Sequence, residues 1–292
     1  MVFVIALCFN AKAQAINPTD SFDWANKNQE AESYYKQGNY EKAIASAKQA
    51  VQKAASIFGK LHDNYVLSIT NLAFIYKKTE QYKDAETLFK EVVSINKQKF
   101  GKQHWQYLGS LRNLAILYMN MHVYEEAEPL CLELCSTIKK NYGTLNKTYA
   151  SSLYDLAYLY DEMLEYAKAK PYYEECLAIR KKILKPEDED YLLVLNDLAT
   201  LCSTMGFYEQ AVTYHIESLA IREKKYGKLS AAYAHSVSSL GVVYMKMNNY
   251  AEAETYLKEA LDIRKQVFGM DHKSYASSLY NLGSLPVCTC LY

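Results

Sequence analysis

Three histidines, His62, His104 and His272, a cysteine pair, Cys131 and Cys135, and the serine pairs Ser151-Ser152 and Ser277-Ser278 are the residues here whose types could ligate a metal or attack a carbon. A metal needs three or four ligands converging on one ion, and nucleophilic chemistry needs a nucleophile, a base and an orienting group in one pocket. The spacing works against both. The histidines stand 42 residues, or a multiple of 42, apart, and side chains that recur at a repeat period lie one or more whole repeats from each other. Helix capping or a solvated surface is the expected role for that slot, and His235, alone near a helix start, indicates nothing further. The serine pairs also recur in register, which points to packing. Cys135 occupies the slot of Val93, Leu177 and Leu219, Cys176 that of Val92 and Leu134, and Cys202 that of Tyr76 and Tyr118. Cys131 and Cys135, four apart on one helix, could meet a metal or each other, but cysteine as a small apolar substitute is the favoured reading. Cys288-Thr289-Cys290 is too little for a zinc site. The chain has no phosphate-cradling glycine loop, no H-E-x-x-H and no C-x-x-C. The expectation is a non-enzyme with no catalytic residue, no metal and no cofactor.

The elements that carry these residues are set by one period. Tyr65, Tyr107, Tyr149, Tyr191, Tyr233 and Tyr275 stand 42 apart, and Tyr40, Tyr82, Tyr124, Tyr166, Tyr208 and Tyr250 keep the same step. Leu72, Leu114, Leu156, Leu198, Leu240 and Leu282 share a slot, followed by Ala73, Ala115, Ala157, Ala199, Gly241 and Gly283. Ala43, Ala85, Ala127, Ala169, Ala211 and Ala253 form a second small column. Gly59, Gly101, Gly143, Gly227 and Gly269 close the units, with Lys185 the exception. A period in this range over most of a chain signals a repeat architecture, in which each unit buries its apolar face against its neighbours.

Within one unit the apolar residues Ile69, Leu72, Ala73 and Tyr76 fall on one helical stripe, predicting a helix A from Tyr65 to Tyr76. Thr79-Glu80-Gln81 breaks it. Tyr82 then opens helix B, with Ala85, Leu88, Phe89, Val92, Val93 and Ile95, to about Phe100, where Gly101 supplies a left-handed cap. The two alanine columns are read as the place where A and B cross closely. Nothing reads as strand. Residues 24–285 are expected to hold six helix pairs and part of a seventh, after a linker at 14–23. The first helix A is placed from Trp24 to Gln37, with Glu30, polar at a core slot, marking an N-terminal cap unit. At the other end Pro286 replaces the tyrosine of Tyr118, Tyr160 and Tyr244 and should halt the seventh helix A. The expectation for 286–292 is an aberrant tail, hence a fragment or a disrupted frame with an apolar edge open to self-association.

Thirty-three basic and 33 acidic residues cancel among 292, which disfavours nucleic acid and anionic lipid as partners. Val2 to Phe9 followed by Ala11-Lys12-Ala13 has the apolar core and A-x-A site of a secretory signal cut after Ala13, too short to span a bilayer. Residues 1–13 are therefore expected to direct export to a periplasmic or extracellular location; without that signal the location would be cytoplasmic.

Leucine then a small residue, tyrosine three further, a turn, tyrosine, then alanine: this pattern, in stretches such as Ser110 to Tyr118 and Tyr250 to Glu254, resembles the tetratricopeptide repeat in its 42-residue, kinesin light chain-like version, of bacterial exported type. The resemblance covers about Asn26 to Leu285. It implies an all-α fold, a right-handed superhelical solenoid of antiparallel helix pairs whose A helices line a concave groove that binds a peptide or protein segment. Carried over slot by slot, the groove positions before the leucine-alanine pair are Asn71, Asn113, Asp155, Asp197, Ser239 and Asn281. One residue earlier stand Arg112, Tyr154 and Asn196, and one turn later Tyr158 and Thr200. An asparagine amide both donates to and accepts from a peptide backbone, and Arg112 could grip a carboxylate. Tyr154 and Tyr158 look the freest aromatics for a ligand. Beyond Arg112 the central repeats offer Asp155, Asp161 and Glu162, so a neutral or partly basic ligand is expected. Two functions follow: a non-catalytic scaffold that binds peptides or proteins, or the regulatory arm of a larger enzyme, a CHAT-type protease or signalling kinase, continuing beyond Tyr292.

Overall fold

The structure, a computed structural model, describes residues 18–286. The signal expected at 1–13 and the Cys288–Cys290 tail lie outside them. The described residues form thirteen helices and no strand. They divide into two compact units, one to Asn141 and one from Tyr142. The first holds α1 (Pro18–Lys36), α2 (Tyr40–Phe58), α3 (Asp63–Lys78), α4 (Tyr82–Phe100), α5 (Trp105–Asn120) and nearly all of α6 (Tyr124–Tyr142). The second holds α7 (Lys147–Glu162), α8 (Tyr166–Ile183), α9 (Glu189–Thr204), α10 (Tyr208–Tyr226), α11 (Ala231–Lys246), α12 (Tyr250–Phe268) and α13 (Lys273–Gly283). Odd-numbered helices are the A helices and even-numbered ones the B helices. Helix α1 starts before Trp24, so residues 18–23, expected as linker, are helical. Helix α13 is short and ends ahead of Pro286, as the imino ring requires.

Every A helix after α1 opens on the same slot, and that slot explains the histidines. His62, His104, Asn146, Asp188, Ser230 and His272 are the N-cap residues of α3, α5, α7, α9, α11 and α13. The Nδ1 atoms of His62, His104 and His272 accept from the backbone N–H two residues on, at 3.1, 3.3 and 3.1 Å. Their rings stack on Phe58, Phe100 and Phe268, the aromatic four residues before, with centroids 4.9, 4.7 and 4.4 Å apart. A neutral imidazole thereby satisfies a free helix N–H and covers the last turn of helix B. The glycine caps behave as expected at Gly59, Gly101, Gly143, Gly227 and Gly269, with φ between 76° and 81°. Where Lys185 replaces glycine, α8 stops one residue short, with Leu184 as its C-cap in an extended conformation.

The A-to-B turn holds a second left-handed column that composition does not disclose. Gly38, Glu80, His122, Leu164, Gly206 and Asn248 all have positive φ, between 56° and 82°. In each, the following N–H reaches back five residues, as from Glu165 to the Tyr160 carbonyl at 2.8 Å, the six-to-one bond that ends a helix. Leucine is poorly suited to this conformation, and Leu164 is 70% exposed, so its side chain contributes little packing. Leu164→Gly is expected to raise stability by about 0.5–1 kcal/mol and the melting temperature by roughly 2–3 °C. Differential scanning calorimetry checks this, and an unchanged or lower melting temperature would contradict the strain.

The founding tyrosine column is a hydrogen-bond ladder. The hydroxyls of Tyr65, Tyr107, Tyr149, Tyr191 and Tyr233 donate to Glu91, Glu133, Glu175, Glu217 and Glu259 on the B helix of the same repeat, at 2.8, 3.1, 3.0, 2.5 and 3.2 Å. Their rings are buried, and burial with the facing carboxylate pushes the phenols of Tyr65, Tyr107 and Tyr233 up to about 12. Each tyrosine thus ties A to B by a buried ring with a satisfied polar tip.

The alanine columns sit at zero or near-zero exposure, where the helices cross. Gly241 shows how tight the crossing is. A Cβ there would stand 2.8 Å from Leu257 Cγ. The residues at the Leu257 slot in other repeats, Phe89, Cys131, Tyr173 and His215, face alanines instead. A branched γ-carbon at this slot demands glycine opposite, whereas a flat ring or a thiol tolerates the extra methyl.

Candidate functional site

Arms from the B helices fix the start of the next A helix. Asn96 on α4 donates to the Gln106 carbonyl at 3.2 Å. In the second unit Arg180, Arg222 and Arg264 occupy the same slot. Arg180 donates to the Asp190 carbonyl, Arg222 to the Ser236 hydroxyl, and Arg264 to the Ser278 hydroxyl at 2.6 Å. Burial lowers the proton affinity of Arg222 and Arg264. Serines serve this packing as well: Ser110 and Ser152 are buried and donate to the Tyr107 and Tyr149 carbonyls at 2.7 and 2.8 Å.

A polar ladder runs between neighbouring A helices at the slots expected to meet a ligand. In the first unit Asn71 Nδ2 reaches Asn28 Oδ1 at 3.5 Å. In the second, the Tyr154 hydroxyl donates to Asp197 Oδ2 at 2.6 Å, and Asn281 Nδ2 reaches Ser238 Oγ at 3.4 Å. All three link a residue to one 43 positions on, so the slot before the leucine-alanine pair is braced by its neighbour in the preceding repeat. Tyr154 is therefore not the free aromatic that its slot suggested. Its ring also packs edge-on to Tyr173, with centroids 5.7 Å apart, and carries the Arg180 guanidinium 5.0 Å above it. Desolvation, then Asp197, push its phenol well above the ordinary range. Asp155 is 6% exposed and so is withdrawn from solvent.

Other expected site residues are presented outward. Tyr158 is 40% exposed, nearly parallel to Tyr154 at 6.5 Å. Thr200 is exposed, and its hydroxyl donates to the Asn196 carbonyl at 3.0 Å. Asn196 and Asp197 are half-buried on α9, their side chains 3.5 Å apart. In the first unit Asn71, Arg112 and Asn113 are half-buried on α3 and α5, and Arg112 lies near enough to Lys77 to add to the burial that lowers its proton affinity. The structure thus brings Tyr154, Tyr158, Asn196, Asp197 and Thr200 together on α7 and α9, with Asn71, Arg112 and Asn113 as a separate group.

Two contributors escaped the groove-slot reasoning because they belong to a B helix. Tyr173 and Arg180, both on α8, are 0% and 4% exposed and back the Tyr154–Asp197 pair. The available signal was a change of residue type within the slots: Tyr173 replaces Phe89, Cys131 and Leu257, and an arginine column starting at Arg180 replaces Asn96 and Ile138. Cys131, Cys135, Cys176 and Cys202 are buried, and burial pushes Cys176 up to about 12. Among the described residues no three His, Cys, Asp or Glu side chains gather as metal ligands would, and no helix is long and apolar enough to cross a membrane.

Family models described as tetratricopeptide repeat match residues 24–98 and 107–182, and a second of the same description matches 192–230 and 234–273. Comparison with curated proteins finds no match. Among solved structures, BtubC (BKLC) from P. vanneervenii is 23% identical, with TM-score 0.69, covering 79% of this chain and 92% of its own. A putative kinesin light chain from Podosopora anserina, with nearly identical TPR-like repeats, is also 23% identical, with TM-score 0.66 and coverage of 71% and 98%. A Rap protein complexed with Competence and Sporulation Factor is 13% identical, with TM-score 0.57 and coverage of 90% and 74%. At these identities the likeness is one of fold. With buried tyrosine, leucine and alanine columns repeating every 42 residues through all-helical pairs, and family models matching most of its length, the chain belongs to the tetratricopeptide repeat family.

Proposed function

We propose that this protein is a non-catalytic scaffold that holds a protein or peptide segment against the A helices of its repeats. The observation that carries the reading is the division of labour between slots. The repeated columns of Tyr65 to Tyr233, Leu72 to Leu240 and the alanines are buried and tie helix to helix, whereas several slots that change between repeats keep polar and aromatic groups at the surface of α7 and α9. Tyr158, Asn196, Asp197 and Thr200 would contact the segment there, with Tyr154 and Asp155 beneath them. Asn71, Arg112 and Asn113 offer a separate set of amides and a guanidinium in the first unit. Asparagine amides satisfy an extended backbone whatever its side chains, which suits a binder of variable segments. The Rap protein of similar fold, solved with Competence and Sporulation Factor, is an instance of this architecture in complex. Leu279 and Tyr280, 47% and 77% exposed on α13, favour self-association as a second mode, which light scattering over a concentration series would reveal.

The test is selection of a random heptapeptide phage library on the immobilised full chain, followed by affinity measurement on synthetic copies. The triple variant Tyr158→Ala, Asn196→Ala, Thr200→Ala should weaken binding by roughly tenfold or more, whereas Lys258→Ala on the exposed face of α12 should leave it unchanged. Equal affinity in a folded triple variant would reject this face.

A further inference from the structure

Two side chains of the second unit carry polar groups that the repeated ladders do not use. Asp161, in the last turn of α7, occupies the slot of Lys77, Met119, Ser203 and Met245. Tyr173 occupies that of Phe89, Cys131, His215 and Leu257. Neither forms a rung of the tyrosine–glutamate or asparagine ladders. Tyr173 is wholly buried, yet its hydroxyl has no hydrogen-bond partner among the described residues. That hydroxyl lies in the field of Asp197 first, then of Tyr154 and Asp161. Asn196 holds its Nδ2 near Asp197 and leaves its Oδ1 buried with no partner among the described residues.

Two of these atoms are unsatisfied, the Tyr173 hydroxyl, which can accept as well as donate, and the Asn196 amide oxygen, an acceptor. The Asp161 and Asp197 carboxylates are acceptors too; Asp197 already takes the Tyr154 hydroxyl and the Asn196 amide, and no lysine or arginine pairs with Asp161 among the described residues. Burial, then Asp197 and Glu162, push Asp161 up to about 6, the behaviour of a carboxylate facing other acids without a countercharge. Asp197 is raised too, by desolvation, against the opposing pull of Tyr154, Asn196 and Arg180. Arg180, the cation whose charge acts on Asp197, already donates to the Asp190 carbonyl and lies over the Tyr154 ring. A donor-rich cation is what the cluster lacks, and the rings of Tyr154 and Tyr158 supply faces to which such a group is attracted.

We propose that Asp161, Asp197, Tyr173 and Asn196 form a receptor for one basic side chain, lysine or arginine, of the segment bound on the A-helix face. The proposal rests on the reading of that face as a binding surface and gives it a specificity. An ammonium or guanidinium would donate to both carboxylates and to the Tyr173 oxygen, with its aliphatic stem along Tyr158.

Heptapeptides selected on the wild-type chain should be enriched in lysine or arginine. A selected peptide should bind roughly tenfold more tightly at pH 7.5 than its counterpart with the basic residue changed to glutamine. Asp161→Asn, close in shape and removing a charge without a partner, should abolish that preference. So should lowering the pH from 7.5 to 5 with the wild type, since Asp161, beside Asp197, Glu162, Tyr173 and Tyr154, gains its proton in that interval. Tyr173→Phe, which restores the residue found at Phe89, gives an independent reading and should weaken the basic peptide several-fold. Selected peptides with no basic enrichment, or a preference undiminished in Asp161→Asn, would overturn the receptor and leave the scaffold reading standing. Failure to select any peptide would defeat both. Spermidine binding in the absence of any selectable peptide would overturn the proposal in favour of a free polyamine.

Discussion

Replacing His215 by phenylalanine is expected to remove much of the acid sensitivity of the fold. His215 on α10 is 2% exposed and its Nδ1 has no hydrogen-bond partner among the described residues. Burial, then His235 and Arg222, lower its proton affinity to about 4. Above the ordinary value of 6.5 the imidazole is neutral whether folded or unfolded, and its stabilising neutrality is intact. As pH falls from 6.5 towards 4 the unfolded chain takes up a proton that the folded chain refuses, so stability drops. The loss amounts to about 2 kcal/mol at pH 5 and about 3 kcal/mol below pH 4. Phenylalanine suits the slot because Phe89 fills it opposite Ala73 in the first unit, as His215 does opposite Ala199. Leucine would be a poorer choice, since Leu257 is accommodated only by Gly241. Urea unfolding at pH 7.5, 6 and 5 should show the variant losing less stability than the wild type across that interval, with His235 supplying a residual slope. Identical slopes in the two proteins would show that His215 is not the group responsible.

The second large effect is expected at Arg180. Its buried guanidinium holds the Asp190 carbonyl at the start of α9, sits over Tyr154 and helps to keep Asp197 ionised. Arg180→Met retains the stem but removes the bond to that carbonyl and the positive charge that favours ionised Asp197. Removing one member of a buried charge cluster typically destabilises by about 3 kcal/mol, which corresponds here to roughly 5–10 °C in melting temperature. Arg180→Lys keeps the charge but not the planar stack, and should fall between the two. The deficit of the methionine variant should shrink at pH 5, where Asp161, pushed up to about 6, is protonated and no longer opposes the charge of Asp197. A methionine variant as stable as the wild type at pH 7.5 would show that the cluster needs no internal cation.

These two residues illustrate where reading the sequence stopped. The helices, their order, the capping role of the histidines, the glycine caps and the close crossing at the alanines were all legible, because each follows from local chemistry repeated at a fixed spacing. Helix α1 began earlier than its first apolar residue suggested, since nothing in a period marks where a terminal helix starts. The groove slots were located, but their state was not. Tyr154 looked available and is bound to Asp197, because its partner lies one repeat on and a slot-by-slot comparison treats each residue alone. Asp155 stood in an asparagine-like slot and is buried. Tyr173 and Arg180 were passed over because a B helix was assumed to contribute only packing.

The 42-residue period of tyrosine, leucine and alanine dictates the repeat, since it can bury its apolar stripes only by stacking helix pairs upon one another. It also dissolved most of the apparent catalytic chemistry, because side chains in equivalent slots of different repeats cannot converge. Only the tertiary structure decided which varying side chains are engaged with one another and which are left with unmet hydrogen bonds. That distinction depends on contacts between residues 19 to 43 positions apart on neighbouring helices, as in Tyr154 with Asp197 and Tyr173, where burial and facing charges are properties of the pair and of no single residue.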